Sequence, residues 1–231
     1  MSNRHGARFI SFASPKGGVG KSTSCLAIAG ALLAAGEKVR IIDFDQTETI
    51  WRWYTTNAGT QHHPNLTVEQ GPKTDHGYFV NDLWNTATGY VLLDLAGSLS
   101  DLTLTMAAFA TLTITPAKVS EPDIMEANKM ANKLHAVASR LNKPIQHRIL
   151  LNEIPNIVSR DEVELVEQID ASNLARFATI IRRRSAYSKS FSNGTLPHFA
   201  PQPNPKAIAE IDALMQEIQS IFQLDEQKVA A

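Results

Sequence analysis

Residues 14–23, SPKGGVGKST, decide the fold of this chain. A short apolar run at 8–13 precedes this glycine-rich stretch, and a segment rich in Ala and Leu at 24–35 follows it. The order is therefore strand, glycine loop, helix, which is the context in which a phosphate-binding loop works. Loop N–H groups and the helix N-terminus would face phosphate oxygens. The residues expected to contact a nucleotide are Gly17, Gly18, Val19, Gly20, Lys21, Ser22 and Thr23.

Two side chains of this loop carry the predicted chemistry. Lys21 supplies a positive charge to the β- and γ-phosphates, and the Ser22 hydroxyl can hold Mg²⁺. The glycines let the backbone pass close to an anion because they have no Cβ. The alternative is a glycine-rich turn with a chance Lys-Ser pair, and the flanking strand and helix argue against it.

A second lysine makes the loop unusual, since Lys16 precedes the glycines and Pro15 stands where the common pattern has glycine. KGGVGKST resembles the deviant phosphate loop of the ParA/MinD family of ATPases. In that family the extra lysine reaches across a dimer interface to the partner's nucleotide. The resemblance therefore implies ATP/ADP and Mg²⁺ as cofactors, a homodimer formed with ATP, and a catalytic role for Lys16 in trans. The compact size and an aromatic helix at 47–58 also resemble the VirC-type ATPases of T-DNA transfer.

Length and composition limit the class of protein that this chain can be. The chain has 231 residues, 43% hydrophobic and 19% charged, with a net charge of −1, as expected of one soluble α/β domain over residues 1–231. The single cysteine, Cys25, excludes an internal disulfide, a multi-cysteine metal site and a bridging iron–sulfur cluster. No secretory signal and no apolar window of about 18 residues is found, so we expect a cytoplasmic protein without a membrane partner.

Three aspartates end predicted strands. Asp43 and Asp45 close the apolar run at 37–44, and Asp94 closes YVLLD at 90–94. Ligands bind at the carboxyl ends of the strands in open α/β sheets. The resemblance assigns Asp45 to the attacking water and Asp43 and Asp94 to the Mg²⁺ shell. The alternative for the first pair is an acidic helix cap, with Asp45 or Thr47 capping the next helix.

The remaining pattern predicts an α/β fold with a doubly wound, mostly parallel sheet and helices on both faces. Continuous apolar strands are typical of such sheets. Asn152 ends the last strand. The resemblance makes it a contact to the adenine edge, and a turn before Pro155 is the equal alternative. Strands are predicted at 8–13, 37–44, 66–69, 90–94, 110–116 and 147–152, and helices at 24–35, 47–58, 74–87, 121–141, 160–169 and 206–223. Asp123 or Ser120 is the expected N-cap of the helix at 121–141.

A basic segment, residues 171–209, contains no Asp or Glu. Its centre, residues 180–197, resembles the part of partition ATPases that contains a short helix and contacts DNA without sequence preference. Clustered cations bind phosphates and release their counterions. A basic rim exposed to solvent, or contacts with acids elsewhere in the chain, is the alternative. The predicted DNA-binding residues are Arg176, Arg182, Arg183, Arg184 and Lys189.

The resemblance to the ParA/MinD family implies a partition or positioning ATPase. In its ATP state it would dimerise and bind nonspecific double-stranded DNA at the nucleoid. A stimulating adaptor or centromere-binding protein would trigger slow hydrolysis. The rival hypotheses are an ATPase that positions protein clusters without touching DNA, and a metabolic ligase of the dethiobiotin-synthetase type.

Overall fold

A six-stranded sheet forms the centre of the computed structural model, which describes residues 6–56, 63–74, 76–142, 144–172 and 174–230. All five strand pairs are parallel. The strands are β1 (Arg8–Phe12), β2 (Val39–Asp43), β3 (Leu66–Gln70), β4 (Tyr90–Asp94), β5 (Leu112–Ala117) and β6 (His147–Leu151). Their order across the sheet is β3-β2-β4-β1-β5-β6. The predicted doubly wound α/β fold is therefore confirmed, and its described strands are parallel throughout.

In the described residues five helices connect these strands, as parallel pairing requires, and three more helices follow β6. The helices are α1 (Lys21–Ala34), α2 (Thr49–Thr56), α3 (His76–Thr86), α4 (Asp101–Phe109), α5 (Glu121–Leu141), α6 (Arg160–Ala171), α7 (Ser185–Ser192) and α8 (Pro205–Ala230). The pattern at 47–58 predicted α2, although residues 57 and 58 lie outside the described part of the chain. Helix α4 was not predicted from the sequence, whereas the resemblance at 180–197 implied a short helix where α7 lies. Ser100 caps α4 by accepting a hydrogen bond from the Thr103 N–H.

The strand pleat divides the core between the two faces of the sheet. Successive side chains of β1 point to opposite sides, so Phe9 packs against the face covered by α3, α4 and α5. Ile10 packs on the other face with α1 and α8. Helix α1 is buried on nearly every side because it lies between the sheet and α8. In the described residues no helix is long and apolar enough to cross a bilayer.

The strand register brings the predicted acids to one edge. Phe12 at the end of β1 pairs with Asp94 at the end of β4. Asp94 in turn pairs with Asp43 at the end of β2. The loop that follows β1 therefore leaves the sheet beside two buried carboxylates, at the edge where open α/β sheets bind their ligands.

Candidate nucleotide-binding site

The glycine loop, residues 14–20, joins β1 to α1 as the sequence predicts. Gly18 and Gly20 have positive φ angles of 73° and 96°, which favour glycine. The Ser24 N–H bonds to the Gly20 carbonyl, so the helical pattern starts directly at the loop. Lys21 is the first residue of α1 and is buried, which places its ammonium inside the loop.

Asn152 binds the backbone of the loop. Its Nδ2 donates to the Val19 carbonyl oxygen at 2.9 Å, and its side chain is only 1% exposed. A Cβ on Gly20 would lie 2.0 Å from that same Nδ2. The structure thus gives Asn152 a place in the site, as an anchor of the loop backbone. Its contact with an adenine edge stays a prediction.

Ser22 and Asp94 form the second feature of the site. The Ser22 hydroxyl donates to Asp94 Oδ2 at 2.6 Å. Asp94 is fully buried, and its Oδ1 has no hydrogen-bond partner among the described residues. Burial raises the pKa of Asp94 to about 7, and the nearby charge of Asp43 adds to that rise, whereas the Ser22 hydroxyl opposes it. A buried carboxylate with one unused oxygen fits a site that is completed by a cation.

The donor set suits magnesium. Mg²⁺ keeps several waters and takes few protein ligands beside substrate phosphates. Among the described residues no group of three or more His, Cys, Asp or Glu side chains could hold a metal on its own. The Ser22 hydroxyl and the Asp94 carboxylate are consistent with such a sparse site.

Asp43 is occupied by backbone donors. Its Oδ1 accepts from the Asp45 N–H at 3.0 Å, and its Oδ2 accepts from the Ile50 and Trp51 N–H groups at 2.9 and 3.0 Å. Burial raises its pKa, although these bonds oppose the rise. The capping weighed for Asp45 or Thr47 is therefore made by Asp43, which ties β2 to α2. A role for Asp43 in the Mg²⁺ shell stays a prediction.

Asp45 faces the loop lysine. Its Oδ2 lies 4.0 Å from Lys21 Nζ, while its Oδ1 accepts from the Thr47 N–H and hydroxyl at 2.9 and 2.8 Å. Gly97, in the turn after β4, approaches from the other side, where an added Cβ would lie 3.4 Å from Lys21 Nζ. Asp45 also lines a cleft of about 660 Å³ that opens beside Gly71, Lys73 and His76. The structure thus brings Lys21, Ser22, Asp43, Asp45, Asp94 and Asn152 together at one edge of the sheet.

Lys16 forms an ion pair with a residue outside the loop. Its Nζ donates to Asp123 Oδ2 in the first turn of α5 at 2.8 Å. The sequence suggested Asp123 only as a possible helix cap, because an acidic residue in a first helical turn is commonplace. Its contact with the loop carries no local sequence signal.

Acids that flank the basic segment neutralise part of it. Arg176 makes a paired contact with Asp170 at 2.5 and 2.7 Å, and Arg184 makes one with Glu210. The missing counter-charges therefore lie just outside residues 171–209, as the alternative interpretation allowed. Glu210 was missed as a partner because it lies 26 residues from Arg184 in the sequence, and Asp170 was missed although it lies only six residues before Arg176.

The rest of the segment runs along β6. Arg176 and Arg182 form isolated bridges with Ile149 and Ile154. Arg182 also donates to the Pro155 carbonyl oxygen at 2.9 Å. Arg183 and Lys189 are exposed and make no ion pair with any residue that the structure describes. The predicted DNA-binding residues thus divide into paired arginines and two accessible cations.

Comparisons with known proteins agree with this geometry. Protein virC1 of Rhizobium radiobacter is 27% identical over 153 residues, or 64% of this chain. The match spans 65% of that relative's length, just under two thirds. A putative plasmid partition protein (BB_S35) from Borrelia burgdorferi B31, bound to AMPPNP, superimposes with a TM-score of 0.72 at 18% identity, over 95% of this chain and 99% of its own. The cell division ATPase MinD of Pyrococcus furiosus gives a TM-score of 0.67 at 17% identity, over 93% and 99%.

These structural likenesses confirm the predicted ParA/MinD-like fold. The sequence comparison identifies the family more closely, because the family model described as VirC1 protein matches residues 7–224, nearly the whole chain. This chain belongs to the VirC1 family.

Proposed function

We propose that the chain is one ATPase domain that binds ATP at the glycine loop and hydrolyses it slowly. The observation that carries this proposal is the cluster of charged and polar side chains at the loop. In this cluster Lys21 lies 4.0 Å from Asp45, and Ser22 bonds to Asp94. A loop lysine, a metal-binding hydroxyl and an acid at the next strand end are the parts that phosphoryl transfer uses. The similar partition protein was solved with AMPPNP, which supports a nucleoside triphosphate as the ligand.

Catalysis in this proposal is electrostatic. Lys21 is fixed at the start of α1 and neutralises charge on the β- and γ-phosphates. Asp45 would orient the attacking water, since its Oδ2 lies 4.0 Å from Lys21 Nζ while its other oxygen is held by Thr47. Ser22 and Asp94 would hold Mg²⁺, which when bound stabilises negative charge on the phosphate oxygens. Asp43 fixes the backbone of Asp45 and so sets its position.

Dimerisation with ATP and a stimulating partner complete the proposed cycle. Lys16 is the trans-acting group, and its 41% exposed side chain can move. An adaptor or centromere-binding protein would accelerate hydrolysis and release the complex. No membrane partner belongs to this proposal, because the polar side of α8 presents Glu210 and Glu217 to the basic segment.

We infer that the ATP state binds double-stranded DNA without sequence preference. Arg183 and Lys189 supply the accessible positive charge, whereas Arg176 and Arg184 are held by carboxylates. Dimerisation doubles the number of such cations and raises affinity for a polyanion. In this proposal Arg183 and Lys189, two of the five predicted residues, therefore make the main contacts with DNA phosphates.

The test is binding to random-sequence duplex DNA at fixed moderate salt. The protein is measured without nucleotide, with ADP, and with AMPPNP. Binding that requires AMPPNP is the expected result. Equal binding in all three states would remove the nucleotide switch, and no binding in any state would leave an ATPase that positions protein clusters.

One observation favours a second candidate. The cleft beside Asp45 is large enough for a small organic acceptor, and Lys73 gives it a cation and His76 a polar ring. A ligase of the dethiobiotin-synthetase type would use such a cleft. ADP release that depends on an added small-molecule acceptor would support this candidate, while ADP release stimulated by DNA or a protein alone would exclude it.

A further inference from the structure

The ion pair between Lys16 and Asp123 joins the glycine loop to helix α5. The ammonium of Lys16 lies 2.8 Å from Asp123 Oδ2. The lysine is 41% exposed but the aspartate only 5%, so the acid is a fixed receptor and the lysine is the movable partner. The loop lysine that would act on a second subunit is therefore bound to its own.

Asp123 is built to receive this lysine. The Ser120 hydroxyl donates to the same Oδ2, and the positive end of the long helix α5 lies beneath the carboxylate. Its Oδ1 is buried and has no hydrogen-bond partner among the described residues. The Ser120 bond and the helix N-terminus stay with the carboxylate when Lys16 leaves, which makes the pair reversible.

The N-terminus of α6 has a capping box that the N-terminus of α5 does not have. In α6 the N-cap Ser159 and Glu162, three residues on, form a reciprocal capping box, in which Glu162 accepts from the Ser159 N–H at 2.7 Å. Ser120 and Asp123 occupy the same two positions in α5. The Ser120 N–H bonds instead to the Lys118 carbonyl oxygen, and the Asp123 carboxylate bonds to Lys16. The acid has therefore been diverted from helix capping to the loop.

We propose that Asp123 is a positioning residue that holds Lys16 on its own subunit, so that ATP-driven dimerisation must break this ion pair. The inference rests on the proposed trans role of Lys16. Phosphates of the partner's nucleotide compete with Asp123 for the same ammonium. The pair thus opposes assembly when no triphosphate is present and sets the ATP concentration at which the dimer forms.

The first experiment measures Lys16 directly and does not depend on dimerisation. The nucleotide-free protein is treated with a limiting amount of an amine-reactive acetylating reagent. The rate of acetylation at Lys16 is measured by mass spectrometry. Asp123→Asn should raise that rate about fivefold, the upper range for a partly exposed ion pair. The matched control is Glu121→Gln, which removes a charge from an exposed residue of the same helical turn and leaves the ion pair of Lys16 with Asp123 in place. It should leave the rate unchanged. If Asp123→Asn does not fold by circular dichroism, Asp123→Ser takes its place.

The second experiment measures assembly by sedimentation over a range of AMPPNP concentrations. For Asp123→Asn, the AMPPNP concentration at which half of the protein is dimeric should be about fivefold lower than for wild type. Glu121→Gln should match wild type. A wild-type protein that stays monomeric would overturn the proposed function, while the acetylation rates would still test the ion pair. A wild-type dimer with an unchanged midpoint in Asp123→Asn, or equal acetylation rates, would overturn the role of Asp123.

Discussion

The amide of Asn152 lies where any side chain at position 20 would have to stand. A Cβ on Gly20 would come within 2.0 Å of Asn152 Nδ2, which is itself bonded to the Val19 carbonyl oxygen. The end of β6 and the glycine loop are therefore fitted to each other at the level of single atoms. This contact makes the loop part of the folded core even without a ligand.

Replacing Gly20 with Ala should consequently destabilise the nucleotide-free protein. Both the 96° φ angle and the clash with Asn152 oppose the methyl group, and we expect a loss of about 2 kcal/mol in the free energy of unfolding. Gly17→Ala is the control, because nothing lies within 4 Å of a Cβ there. Denaturant unfolding of both variants checks the prediction. Equal stability of the two would show that the loop yields without cost.

Lys21→Ala should abolish tight ATP binding. Its ammonium is buried in the loop and faces Asp45, so no other lysine can replace its charge. Lys38→Ala is a matched control, since Lys38 is exposed and precedes β2 at the opposite edge of the sheet. Calorimetric titration with ATP measures both variants. Tight ATP binding by Lys21→Ala would contradict the phosphate-loop assignment.

Asp45→Ala should bind ATP but hydrolyse it at least about 100-fold more slowly. Asp45 is the group that would orient water, and losing such a group costs two or more orders of magnitude in rate. The measurement pairs an ATP affinity with a single-turnover hydrolysis rate. Thr47→Ala, which removes one hydrogen bond to Asp45 Oδ1, should show a smaller loss. Normal turnover by Asp45→Ala would exclude it from the mechanism.

Local signals explain how much of this site could be predicted. The bounds of α5 were predicted correctly because Ser120 caps the helix and Asn142 ends it in a left-handed conformation. The strand-ending acids followed from the rule that parallel strands share one functional edge. Contacts between distant segments could not be predicted, since nothing near Asp123 indicates Lys16 and nothing in the 171–209 segment indicates Glu210.

Partly buried His147 predicts a pH dependence of stability. Burial and the neighbouring Arg148 lower its pKa to about 4, and its Nε2 lies 2.8 Å from the Thr115 hydroxyl. Below pH 6.5 the unfolded chain binds a proton that the folded chain resists, so stability falls as pH drops from 6.5 towards 4. Discounted for its partial exposure, the loss at pH 5 is about 1 kcal/mol.

The measurement compares wild type with His147→Gln in urea at pH 7.5 and pH 5. The variant should lose less stability than wild type between these two values, because the glutamine does not titrate. An identical loss in both proteins would assign the acid sensitivity to other groups.

The double variant Arg183→Ala/Lys189→Ala should weaken binding of AMPPNP-loaded protein to DNA equally for all sequences. Each phosphate contact contributes about −0.9 to the slope of log affinity against log salt, so removing two cations per protomer should flatten that slope by about two per protomer. Arg140→Ala/Arg160→Ala changes the net charge equally on exposed positions of α5 and α6, and it should leave the slope unchanged. Equal slopes for the two double variants would return residues 183 and 189 to a basic rim exposed to solvent.

Arg184→Ala tests the structural role of the paired arginines. The variant should unfold more readily than wild type, because Glu210 loses its paired guanidinium, while the salt slope of DNA binding should change little.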